Sequence, residues 1–233
     1  MATYVLVHGA WGGSMVWRPN AQALRKAGHE VYTPTLTGLG ERRHLVSRAV
    51  DLETHIQDVL GVIDYEELDA IVLVGHSYGG MVVTGVADRI PGKIAALVYL
   101  DAFVPEDGQA VLNLVAAAAP PPAGAAAEDY LMQPLPAEMF GPVTPQIRYF
   151  FEQKTSPQPM ATFAQPVKLT GGIAQIGRKA YIYCNVPAPT MFTQFYEKLK
   201  GKPGWTMHTL PCSHMAQLDM PNELTALLLQ ASA

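Results

Sequence analysis

Apolar and polar positions alternate along the chain in blocks that read as strand, then helix, repeated. Tyr4 to Val7 run apolar into His8-Gly9, and Met15 to Ala27 has the length of a helix closed by Gly28, a residue type that favours the position after a helix end. His29 to Leu36 reads as a second strand, and the two glycines of Thr37-Gly38-Leu39-Gly40-Glu41 signal a loop. Asp51 has the chemistry of an N-cap for a helix reaching Tyr65, whose Ile56, Val59, Leu60 and Ile63 share one face. Ile71 to Val74 and Ile94 to Leu100 are unbroken apolar runs, the pattern of strands buried on both sides of a parallel sheet. Between them Met81 to Ile90 reads as a helix, broken by Pro91-Gly92. This alternation predicts a doubly wound α/β sheet.

The middle of the chain breaks the rhythm. Of the 19 prolines, 11 fall between Pro105 and Pro166, alongside the alanine-rich stretch Ala116 to Ala127, so no regular βα unit is expected there. Leu131, Met132, Met139, Phe140, Tyr149, Phe150, Phe151 and Phe163 are too many large apolar groups for a solvated tether, and a lid over the sheet edge is expected instead. The division is therefore a core of residues 1–104 and 171–233 with an insertion at 105–170. Afterwards the alternation resumes, with strands at Ala180 to Cys184 and Trp205 to Leu210 and helices at Met191 to Lys200 and Glu223 to Gln230.

Composition narrows the classes. A length of 233 residues suits one large domain, and a net charge of -4 without basic clusters argues against nucleic acid. Apolar types make up 49% of residues and charged types 15%, which excludes disorder, yet no apolar run is long enough to span a membrane. The N-terminus has neither a basic region nor a cleavage site, and two cysteines, Cys184 and Cys212, are too few for a disulfide framework or a zinc site. A reduced, cytoplasmic compartment is expected. Oligomeric state is not legible.

One motif carries chemistry. Gly75-His76-Ser77-Tyr78-Gly79 matches Gly-x-Ser-x-Gly between a buried strand and a helix, where the sharp reversal exposes the serine hydroxyl and frees the Tyr78 amide for an oxyanion. Serine needs a base, and His214 follows the last strand, at the same sheet edge and later in the chain than the serine. Its protonation near 6.5 is expected to end activity. His8 and His76 are expected to shape the backbone; His29, His44, His55 and His208 lack supporting context. The loop His8-Gly9-Ala10-Trp11-Gly12-Gly13 offers the Ala10 amide as second oxyanion donor, with Trp11 beside it as a candidate wall for a hydrophobic, aromatic substrate.

Together, Val5-Leu6-Val7-His8-Gly9-Ala10-Trp11, Val72 to Met81 and Ser213-His214-Met215 resemble the α/β-hydrolase superfamily, within it the small group of plant methylesterases, hydroxynitrile lyases and related bacterial esterases and amide hydrolases. The resemblance covers nearly the whole chain. It implies a sheet starting at the third strand of the full hydrolase sheet, a cap after the sixth, and no cofactor. The lyases carry threonine where this chain has Gly9 and lysine where it has Met215, so both positions are esterase-like. One element departs from the pattern: no carboxylate follows Tyr183-Cys184-Asn185-Val186-Pro187, where the family's acid usually lies. Asp101, ending the strand after the nucleophile strand, is the favoured substitute because neighbouring strands lie only about 4.8 Å apart. Glu106 and Asp219 are the fallbacks.

The expected function is hydrolysis of a small-molecule carboxylic ester through Ser77, His214 and Asp101. Amide or carbamate cleavage by the same residues is the nearest alternative, and a slow or non-catalytic small-molecule receptor of this fold is another. A dinucleotide site at Gly38-Leu39-Gly40 is disfavoured, because the third glycine is missing and the loop follows the wrong strand.

Overall fold

The structure is a computed structural model that describes residues 1–116 and 130–231. Its strands are β1 (Thr3–Val7), β2 (Glu30–Tyr32), β3 (Ile71–His76), β4 (Ile94–Leu100), β5 (Leu131–Met132), β6 (Gln158–Pro159), β7 (Lys179–Cys184) and β8 (Trp205–Leu210). The helices are α1 (Arg18–Lys26), α2 (Leu52–Tyr65), α3 (Gly79–Arg89), α4 (Val111–Ala116), α5 (Pro145–Gln153), α6 (Ala161–Ala164), α7 (Thr193–Leu199), α8 (Ala216–Asp219) and α9 (Pro221–Ala231). Six strands pair in parallel in the order β2-β1-β3-β4-β7-β8. This is the doubly wound α/β sheet that the alternation predicts.

Side chains alternate across the strands into two cores. Val5, Val7, Leu73, Leu97 and Tyr181 pack with α2, α3 and α7 on one face, while Tyr4, Leu6, Val74, Val98 and Ile182 pack with α1 and α9 on the other. Because helices cover both faces, polar residues have no solvated side to occupy, and the strands read as continuous apolar runs. Asp51 caps α2 as expected, its carboxylate accepting from the Thr54 amide at 2.9 Å.

Two expectations need correction, and a third holds. The second strand stops at Tyr32 rather than Leu36, because Pro34 has no amide for the ladder and the buried Leu36 turns its amide to His8 Nε2 at 3.1 Å. The helix expected from Met15 begins as a 3₁₀ turn at Ser14–Trp17 before α1 takes over at Arg18-Pro19, proline being tolerated only in a first turn. The segment between β4 and β7 carries short helices and the antiparallel pair β5-β6, and among the described residues adds no strand to the main sheet. The alanine-rich residues 117–127 lie outside the described residues. No described helix is long and apolar enough to cross a membrane.

Candidate active site

Strand β3 ends at His76 and α3 starts at Gly79, leaving two residues for the reversal. Ser77 takes φ = 55°, a left-handed conformation that a non-glycine residue holds only when its surroundings fix it. The fixing bonds are backbone ones: the Ser77 amide donates to Leu100 O at 3.2 Å, and Ser77 O accepts from Gly80 and Phe103. Glycine is required where α3 abuts β1, since a Cβ on Gly79 would stand 2.7 Å from His8 O and 2.9 Å from Val7 O.

Asp101 follows β4, also left-handed at φ = 40° and fully buried. Its Oδ2 lies 2.7 Å from His214 Nδ1, and its Oδ1 accepts from the Cys184 amide at 3.2 Å. The expectation of a neighbouring-strand reach is incorrect in detail, because β7 stands between β4 and β8. The loop after β8 crosses the end of β7 instead, held by Asn185 donating to Leu210 O and Val186 donating to Cys212 O. The same β7 end that lacks a carboxylate thus supplies an amide to Asp101. Glu106 is exposed and paired with Lys198, and Asp219 accepts from the Ser213 amide; neither is bonded to His214.

His214 is enclosed by aromatic rings. Phe192 stacks on it at 4.7 Å, Phe140 of the inserted segment at 5.2 Å, and His76 lies 4.5 Å away. Burial pushes its imidazole down from 6.5 to about 3, which corrects the unperturbed value expected from sequence. Burial also drives the Asp101 carboxyl well above the usual carboxylate range. Both shifts favour an uncharged imidazole at neutral pH, the form able to accept a proton.

Ser77 and His214 line one cavity of about 20 Å³ with Ala10, Trp11, Phe140, Phe150 and Met215, without a direct hydrogen bond between them. That is room for about one water. Among the described residues the amides of Ala10 and Tyr78 donate to no protein acceptor. A Cβ on Gly9 would meet His76 Nδ1 and Ser77 Cβ at 3.0 Å each, so the lyases' threonine fits poorly here.

His8 and His76 hold backbone, as expected. His8 Nδ1–H donates to Gly9 O at 2.7 Å while Nε2 accepts from Leu36, and His76 Nε2–H donates to His214 O at 3.0 Å. His55 was not singled out, yet it is buried, with Nε2–H donating to Thr37 O and Nδ1 accepting from the Tyr78 hydroxyl at 2.9 Å. Its signal was available: it falls three residues after Leu52 and four before Val59, a polar residue on the apolar face of α2.

The profile of the alpha/beta hydrolase family matches residues 4–227. The chain belongs to that family. It is 50% identical over 235 residues to the carbendazim hydrolyzing esterase of Nocardioides sp. (strain SG-4G), covering 96% of this chain and 97% of that one. Methylesterase 9 of Arabidopsis thaliana is 35% identical over 107 residues, 46% of this chain and 42% of that protein. An extracellular alpha/beta-hydrolase from a Paenibacillus species, described as sharing homology with tobacco salicylic acid binding protein 2, superposes with a TM-score of 0.80 at 25% identity, over 99% of each chain.

Proposed function

We propose that this carboxylic ester hydrolase works through an acyl-enzyme on Ser77, with His214 as general base and Asp101 as the acid that orients it. His214 Nε2 takes the Ser77 proton as Oγ bonds to the substrate carbonyl carbon, and the amides of Ala10 and Tyr78 receive the oxyanion. The imidazolium then gives its proton to the leaving oxygen or nitrogen, and water, activated by the same histidine, releases the acid. The observation that carries this reading is the buried Asp101–His214 bond of 2.7 Å beside a left-handed Ser77 on one shared cavity.

The substrate we infer is small and hydrophobic, matched to the aromatic wall of Trp11, Phe140, Phe150 and Phe151. Residues 105–170 act as its lid over the core of 1–104 and 171–233. Carbamates stand beside esters, supported by the relative that hydrolyses carbendazim, a carbamate. The chemistry differs only in protonating a nitrogen leaving group. We place the enzyme in the cytoplasm, a reading supported by the free, buried thiols of Cys184 and Cys212.

Initial rates on p-nitrophenyl esters, aryl methyl esters and carbendazim test this. Cleavage of at least one class is expected, with Ser77→Ala and His214→Ala each lowering kcat by about 10⁶. Near-wild-type turnover in purified, folded Ser77→Ala, or no cleavage of any ester or carbamate, refutes it.

A further inference from the structure

Trp11 is the residue after the Ala10 oxyanion donor, and its backbone is unusual. It takes φ = 60°, and Gly12 N donates to Ala10 O at 2.7 Å across it. A bond spanning three residues with positive φ at the centre is the rare, strained hand of the γ-turn. Such a conformation persists only where its surroundings impose it.

What imposes it comes from the inserted segment. The Trp11 amide donates to Gln158 Oε1 at 2.8 Å, Trp11 O accepts from the Ser156 amide at 2.9 Å, and the indole N–H donates to Met132 O at 3.1 Å. All three partners lie between β4 and β7 in sequence. Gln158 is fully buried, and its own Nε2 donates to Thr162 Oγ1 at 2.8 Å, which fixes which end of the amide faces Trp11. Thr162 Oγ1 in turn donates to Pro159 O at 2.7 Å. The carboxamide is therefore clamped at both ends, its oxygen spent on one backbone amide of the core.

We propose that Gln158 is a positioning residue for catalysis: by capturing the Trp11 amide it holds the γ-turn that keeps the Ala10 amide free and aimed at the oxyanion. The inference rests on the serine-hydrolase reading above and deepens it. The lid then does more than cover the substrate, because it completes the electrostatic site from outside the core. With the Gln158 oxygen removed, Trp11 relaxes toward negative φ, the turn opens and Ala10 shifts with it, so the Gly9–Ala10 peptide that carries the Ala10 N–H loses its alignment and the oxyanion loses one donor.

Steady-state kinetics on an ester that the wild type cleaves test this, with Gln158→Met as an apolar replacement of similar length. Loss of one oxyanion donor costs about 10² to 10³ in kcat. The expected result is a fall in kcat and kcat/KM together by about 10²-fold, with KM nearly unchanged and binding of a phosphonate transition-state analogue weakened in parallel. Repeating the substitution in a Trp11→Gly background should shrink its effect to about tenfold or less, since glycine takes positive φ unaided. A rise in KM with kcat preserved, or the same loss in both backgrounds, overturns the proposal. Should the variants not fold, wild-type NMR decides: the Trp11 amide should be protected from hydrogen exchange and the Ala10 amide should shift on phosphonylation. Exchange of Trp11 as fast as an exposed amide, or no Ala10 shift, rejects it. Ser77→Ala separates the levels, because an inactive Ser77→Ala beside an unaffected Gln158→Met rejects this inference alone, whereas an active Ser77→Ala rejects the reading beneath it.

Discussion

The Asp101 carboxylate and the His214 imidazole meet at 2.7 Å although 113 residues separate them and strand β7 lies between the strands that carry them. The Cys184 amide, at the end of that intervening strand, holds the other carboxylate oxygen. Asp101 is thereby fixed from the side where the family's usual acid would stand, and its orientation owes nothing to solvent.

Removing that charge without changing shape gives the first prediction. Asp101→Asn should lower kcat by about 10⁴, the loss seen when the orienting carboxylate of such a triad is made neutral. Glu106→Gln, on an exposed ion pair with Lys198, should stay within about twofold of wild type. The reverse ranking in parallel kinetic assays would reassign the acid.

Activity should persist on the acid side. A base works while deprotonated, and burial lowers the pH at which His214 takes a proton, so the acid limb of kcat/KM should fall below pH 6 rather than near 6.5. Rates between pH 4.5 and 8, taken where circular dichroism shows the fold intact, check this. A midpoint at 6.5 or above would contradict the enclosure of His214 by Phe192 and Phe140.

Stability should respond in the opposite sense. His8, pushed down to about 4 by burial, and His214, to about 3, are held neutral in the folded state, with His76 shifted the same way. Below pH 6.5 the unfolded chain binds protons that the folded one refuses, so stability declines as pH falls from 7 to 5, by about 2 kcal/mol per such histidine. Asp101, raised by burial, works in the other direction over this range and reduces the sum. Unfolding free energies from urea titrations at the two pH values should differ by a few kcal/mol in favour of pH 7, and an equal or higher value at pH 5 would refute the assignment.

The turn at Ser77 depends on close backbone approach. In Gly79→Ala the added methyl meets two carbonyl oxygens of the β1 end that cannot move without shifting the sheet. A cost of about 1–3 kcal/mol is expected, with Tm lowered by about 5 °C and activity reduced. An unchanged melting curve would show that the contact is looser than described.

Most of the scaffold was legible because its signals are local. The apolar run Ile94–Leu100 matches β4 residue for residue, Asp51 sits where a capped helix begins, and Gly-x-Ser-x-Gly marks where β3 reverses into α3 within two residues. Ser77, His214 and Asp101 could be named because each follows a strand at its carboxyl end, where open α/β sheets gather ligands. The remainder depends on distant partners. Nothing near Leu36 announces that its amide goes to His8, and nothing in Ser156-Pro157-Gln158 announces that a proline-rich insertion returns to grip Trp11. The depressed basicity of His214 likewise comes from burial, against Phe140 and Phe192, residues 74 and 22 positions away in sequence.

The most direct test of the central claim is intact-mass and peptide mass spectrometry after treatment with a fluorophosphonate. One adduct per chain, mapped to Ser77, absent in Ser77→Ala and formed far more slowly in His214→Ala, is the expected result. Labelling elsewhere, or labelling of Ser77 that proceeds at an equal rate without His214, would contradict it.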